Sequence, residues 1–196
     1  FNELRRLGRW KFDNPLSDLR PFKSEEAELA YLENDEITRL LAECRKSRNE
    51  STYWVACVCL ATGARWDEAE SLTTKQIRNI KVSFFKTKGN RNRTVPISQE
   101  FFDSLPKPEK AGRLFIPCYS AFRKAVERAN LDLPTGQQSH VLRHTFASHF
   151  MMNGGNILVL QRILGHTDIK MTMRYSHFSP DHLDDTIRLN PLENLK

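Results

Sequence analysis

Two stretches carry side chains whose types and spacing could do chemistry: His140 with Arg143, and His166 with Tyr175. His140 and Arg143 stand three apart in a stretch that reads as helix. At about 100° per residue they share a face with His144 and Ala147, opposite Leu142, Phe146 and Phe150. A histidine and an arginine so spaced can reach one ligand; they can equally make a solvated polar face. His166 follows Gly165 at a helix junction, and Tyr175 comes nine residues later among Met171, Met173 and Phe178. Singly, the tyrosine reads as a core aromatic with a satisfied hydroxyl and His166 as a cap or a packed imidazole. A metal site on His140, His144 and His166 lacks the ligands for it. No Glu follows His140, and Asp168 is the one nearby carboxylate.

These residues need a scaffold, and the sequence predicts a mainly helical one. Asn34 can cap a helix opening with Asp35 and Glu36, with Ile37, Leu40 and Leu41 as its apolar face. A nearly all-apolar helix runs from about Ser51 to Thr62 and stops at Gly63. Arg65 follows in the turn or at the start of a short helix through Leu72. Over residues 80–97 the period changes: Ile80, Val82 and Phe84 alternate, Gly89-Asn90 supplies a turn, and Thr94, Val95 and Ile97 return. Pro96 makes that return strand an edge. Ser120 to Ala129 reads as helix, and short helices are expected near 139–152, 156–164, 168–177 and 180–188. Leu142, Phe146 and Phe150 are expected in the core. The expected class is α+β: mainly helix with one small antiparallel sheet.

Charge narrows the partners. Thirty Lys and Arg against 24 Asp and Glu leave +6, which admits any polyanion. Residues 25–50 carry eight acids and four bases, a solvated helix face, whereas 81–95 carry five bases and no acid. There is no run of eighteen apolar residues, so no membrane span is expected, and no secretory signal pattern opens the chain. The four cysteines form no paired metal-binding motif, and Cys57 and Cys59 read as buried small hydrophobes. A reduced cytoplasmic chain is expected.

Taken in order, the motifs resemble a family. They are Thr62-Gly63-Ala64-Arg65-Trp66-Asp67-Glu68, Thr87-Lys88-Gly89-Asn90 leading to Arg93-Thr94-Val95-Pro96-Ile97, His140-Val141-Leu142-Arg143-His144, Leu164-Gly165-His166, and Tyr175. The set resembles the catalytic domain of tyrosine recombinases of the phage-integrase type. That resemblance implies a DNA strand-transferase working through a 3′-phosphotyrosyl bond, with no ATP, metal or other cofactor. The same fold without catalysis, as a DNA-binding module, is disfavoured by the complete set of Arg65, Lys88, His140, Arg143, His166 and Tyr175. A resolvase or transposon recombinase of the same family is the other alternative.

The resemblance also assigns roles. Tyr175 is the nucleophile, Arg65 and Arg143 clamp the phosphate oxygens, and His140 is a proton acceptor or donor at the nucleophile. His166 is a further phosphate donor, and Lys88 is the acid for the leaving 5′-oxygen. Glu68 supports the site from behind. His144 matches the motif's spelling with a packing or capping role. Lys86, Arg91 and Arg93 are expected on the DNA backbone. The implied partners are double-stranded attachment-site DNA and further copies of the chain, as a tetramer. Residues 1–23 are expected to be an extended linker from an amino-terminal DNA-binding region, 24–178 the catalytic domain, and 179–196 a tail that packs on its own domain or docks on a neighbouring protomer.

Overall fold

The computed structural model describes residues 1–19, 29–85, 92–108, 111–134, 136–138, 140–180 and 191. Nine α-helices and three strands occur among them. Helix α3 (Ser51–Thr62) is the axis, because it carries no charge and is apolar on every side. Helix α2 (Asn34–Arg45), α4 (Trp66–Glu70), α6 (Tyr119–Arg128) and α7 (Val141–Met152) all pack on it. Glu33 rather than Asn34 caps α2, its backbone N–H donating to the Glu36 carboxylate at 2.9 Å. Acidic α2 does not merely face solvent: its Glu43 accepts from Arg128 of α6 at 2.8 Å.

The sheet is antiparallel, ordered β1 (Ile77–Arg78), β2 (Lys81–Phe84), β3 (Arg93–Pro96), with Val82 opposite Val95. Pro96 therefore sits on an edge strand, as expected. Ile80 does not begin the strand. Asn79 and Ile80 form the two-residue turn between β1 and β2, both with positive φ (52° and 58°). An isoleucine there runs against its β-branched preference, which is why the alternation misplaced it. Strand β1 and helix α5 (Gln99–Ser104) have no counterpart in the sequence reading.

Residues 1–19 are not extended either. They hold helix α1 (Asn2–Arg6), and Trp10 meets Phe1 and Phe12 edge-on. The expected helix at 180–188 and the remainder of the tail lie outside the described residues, apart from Pro180 and Pro191.

Two apolar clusters result. The larger joins α2, α3, α4, α6 and the sheet through Leu40, Val58, Trp66, Phe84 and Phe122. The smaller gathers Ala147, Met151, Leu160, Leu164 and Tyr175 between α7, α8 (Ile157–Leu164) and the segment after α9 (Lys170–Met173). Helix α7 is thus packed on both sides, which corrects one expectation. Leu142 is buried, but Phe146 and Phe150 are only half-buried, while Arg143, Ala147 and Ser148 on the other face are fully enclosed.

Candidate active site

Two helices end at the site, and both ends are glycines in the left-handed region. Gly63 closes α3 with φ 64° and Gly165 closes α8 with φ 69°. A Cβ on Gly63 would lie 2.6 Å from Phe146 Cδ1 and 2.9 Å from Leu164 Cδ2. Glycine is required there on both counts. These turns leave carbonyls pointing into a common space, and Arg143 fills it.

Arg143 is 5% exposed. Its Nη1 donates to Gly63 O at 2.8 Å, and its Nη2 donates to Leu164 O at 2.8 Å and to His166 Nε2 at 2.9 Å. A cation at the carboxyl ends of two helices is favourably placed. Burial, helped by the nearby charges of Arg65 and Arg93, still lowers its pKa to about 10. It stays charged at neutral pH. Nε–H and one Nη1–H have no partner among the described residues.

Arginine only donates, so His166 Nε2 must accept. Burial and then the charges of Arg143, Arg65, Arg93 and Arg174 push His166 down to about 4, so the ring is neutral. Its proton therefore sits on Nδ1 and is donated to Thr172 Oγ1 at 2.9 Å. With both nitrogens so engaged, His166 orients Arg143.

Arg65 precedes α4. Its backbone N–H and its Nη1 both donate to the Glu68 carboxylate, at 2.9 and 3.1 Å. Glu68 also binds Arg93 through two contacts, Nη1 to Oε1 at 3.2 Å and Nη2 to Oε2. Burial alone would raise the Glu68 pKa, but the Arg93 hydrogen bond, the Arg65 N–H and both guanidinium charges outweigh it and hold it low. The Arg93 side chain is 4% exposed, 4.5 Å over the Phe84 ring and against Gly165. Its expected place on a DNA backbone is corrected: the ion pair with Glu68 holds it inside the protein. Lys86, Lys88 and Arg91 lie outside the described residues. A cavity of about 570 Å³ opens between β3 and α8, lined by Arg93, Thr94, Arg162 and His166 among others.

Tyr175 is 2% exposed. Its hydroxyl meets His144 Nδ1 at 2.6 Å, a contact the sequence reading missed by giving His144 a packing or capping role. Burial raises the phenol's pKa, and the Arg143 and Arg174 charges pull the other way. His140 is exposed just ahead of α7, its ring centroid 6.1 Å from that of His144. Thr172 was also missed. Its carbonyl accepts from the Tyr175 N–H at 3.0 Å, so one residue touches both His166 and the tyrosine. No three His, Cys, Asp or Glu side chains gather as metal ligands among the described residues.

The site thus unites a neutral histidine pair, two arginines and a buried tyrosine. The sequence pattern defining the phage integrase family matches residues 30–111 and 117–182. The chain belongs to the phage integrase family. Among its relatives in the family, the integrase of Escherichia phage 186 is 60% identical over 195 residues, covering all of this chain and 58% of that protein. The chain therefore spans a little over half of that relative's length. The catalytic domain of bacteriophage HP1 integrase superposes with a TM-score of 0.82 at 59% identity, covering 86% of this chain and 99% of that one. A structure of the Tn1549 transposon integrase in complex with transposon right end DNA shares the fold, with a TM-score of 0.68 at 19% identity. It covers 99% of this chain and 75% of that one. No helix among the described residues is long and apolar enough to cross a membrane.

Proposed function

We propose that this chain cleaves and rejoins double-stranded DNA by transesterification, as the catalytic part of a phage integrase. The observation that carries this reading is the Arg143 fork, fixed on two backbone carbonyls and His166 beside Arg65 and Tyr175. Arg143 keeps two N–H donors for an oxyanion, and charge accumulates on non-bridging phosphate oxygens as the phosphorus is attacked. Arg65, held by Glu68 and one-quarter exposed, completes the clamp from the solvent side.

In the proposed step the Tyr175 oxygen bonds to phosphorus and the bond to the 5′-oxygen breaks. The phenol gives up one proton, and the 5′-oxygen gains one, from Lys88 in our reading. The count of phosphoester bonds is unchanged, so the reverse step reseals the strand without ATP. The partner is duplex DNA, consistent with the DNA held by the same fold in the Tn1549 complex. Four protomers on two duplexes in the bacterial cytoplasm, residues 24–178 as the catalytic unit, and a tail from 179 docking within or between protomers complete the proposal.

A nicked suicide duplex tests it, because loss of the short cleaved strand traps protein on DNA. Wild type should give a covalent adduct and Tyr175→Phe none, with duplex binding retained. An adduct from the Phe variant refutes the assignment of the nucleophile, and adduct formation abolished by EDTA refutes the metal-free route.

A further inference from the structure

We infer that His144 is the residue that takes the proton from the Tyr175 hydroxyl during strand cleavage and returns it on rejoining. The inference rests on the reading of Tyr175 as nucleophile. His140, by contrast, stands exposed ahead of α7.

Among the described residues, the geometry points the proton to His144. Tyr175 is 2% exposed, so bulk water does not compete for its proton. Its hydroxyl meets a single polar atom among the described residues, His144 Nδ1 at 2.6 Å. A buried hydroxyl hydrogen needs an acceptor, so Tyr175 donates and Nδ1 carries the lone pair. Nε2 then carries the ring hydrogen. A heavy-atom distance of 2.6 Å is within the reach expected of a base poised to accept.

The electrostatics fit a base that is neutral before the reaction. Burial, with the charges of His140, Arg174 and Arg143 behind it, pushes His144 down to about 4. Among the described residues, those charges and the Tyr175 phenol are the titratable groups that face it, from the start of α7, from α7 itself and from the segment carrying Tyr175. A phosphate bound by Arg143 brings opposite charge to the same spot and raises the basicity of Nδ1 when it is needed. In the step, the O–H electron pair stays on Tyr175 and becomes the oxygen–phosphorus bond, while the proton becomes the second N–H of an imidazolium. Rejoining runs the same transfer backwards, as the oxygen–phosphorus bond breaks.

His144→Asn separates proton transfer from positioning, because the Asn oxygen replaces Nδ1 as an acceptor yet cannot take the proton. Single-turnover adduct formation on the suicide duplex should slow by about 100-fold or more near neutral pH. The residual rate should climb about tenfold per pH unit where the wild-type rate is flat. A His144→Asn rate and pH profile like wild type overturns the inference, as does finding that steep profile in His140→Asn instead. Duplex binding and thermal unfolding verify that the variants fold. In wild type, nitrogen NMR should show His144 Nδ1 unprotonated at neutral pH, and a protonated Nδ1 refutes the proposal without any variant. The Tyr175→Phe arm fails separately: an adduct there discards the nucleophile, whereas a normal His144→Asn discards only the base.

Discussion

Arg93 and Glu68, twenty-five residues apart, face each other through both carboxylate oxygens and both terminal guanidinium nitrogens inside the protein. The pair ties the edge strand to α4, and Glu68 passes the restraint on to Arg65. Glu68→Gln should therefore strand the Arg93 charge, at a cost of about 3 kcal/mol in urea unfolding, and slow adduct formation by loosening Arg65. The pair also has a pH signature. The folded carboxyl holds its proton off to lower pH than the unfolded one, near 4.5. Its contribution is complete above that value and drains away as pH falls further. Acid unfolding of Glu68→Gln should lack this limb.

Gly63→Ala is expected to damage stability and chemistry together. The left-handed φ and the clash with Phe146 and Leu164 both oppose a methyl group, together costing about 1–3 kcal/mol. The same shift moves the carbonyl that holds Arg143 Nη1. Thermal unfolding and adduct formation should fall together, whereas Gly136→Ala, also left-handed (φ 84°) but with nothing within 4 Å of its Cβ, should lower stability alone and leave the adduct rate unchanged.

Thr172→Val removes the acceptor that keeps the His166 proton on Nδ1. An unpartnered N–H in that buried position costs about 1–3 kcal/mol, and it frees the ring to turn its donor toward Arg143, where two donors would collide. Adduct formation should drop in Thr172→Val and recover in Thr172→Ser, which restores the hydroxyl. Equal rates in the two variants would remove Thr172 from the positioning role.

Both buried histidines make the fold weaker in mild acid. Each has a folded pKa of about 4 against 6.5 as the ordinary value. Between these limits the unfolded chain binds protons that the folded chain refuses, so stability is full above pH 6.5 and declines as pH falls toward 4. The slope per group is at most about 1.4 kcal/mol per pH unit. Urea midpoints measured from pH 7 to 4.5 should decline in wild type, and less steeply in His166→Asn.

Local pattern carried much of this architecture. The uncharged stretch Ser51–Thr62 could only be a central helix, and Gly63 and Gly165 could only end helices. The face shared by His140, Arg143 and His144 was visible from angles alone. What escaped were pairings set by the packed structure. His144 meets a tyrosine 31 residues away, and Arg93 meets a carboxylate 25 residues upstream; neither separation follows from helical or strand period. Phe146 and Phe150 misled for a related reason. An apolar face implies burial only if one side of a helix is covered, and α7 is covered on both.

Two of the three contacts that aim Arg143 are made by main-chain carbonyls, those of Gly63 and Leu164. A carbonyl is present whatever side chain the residue bears. The direction of this guanidinium is consequently a property of two helix ends, inherited through the path of the backbone. Leu164 could be exchanged for another apolar residue of similar shape without re-aiming the cation, so sequence drift around the site need not disturb its chemistry. The two terminating glycines have no such latitude.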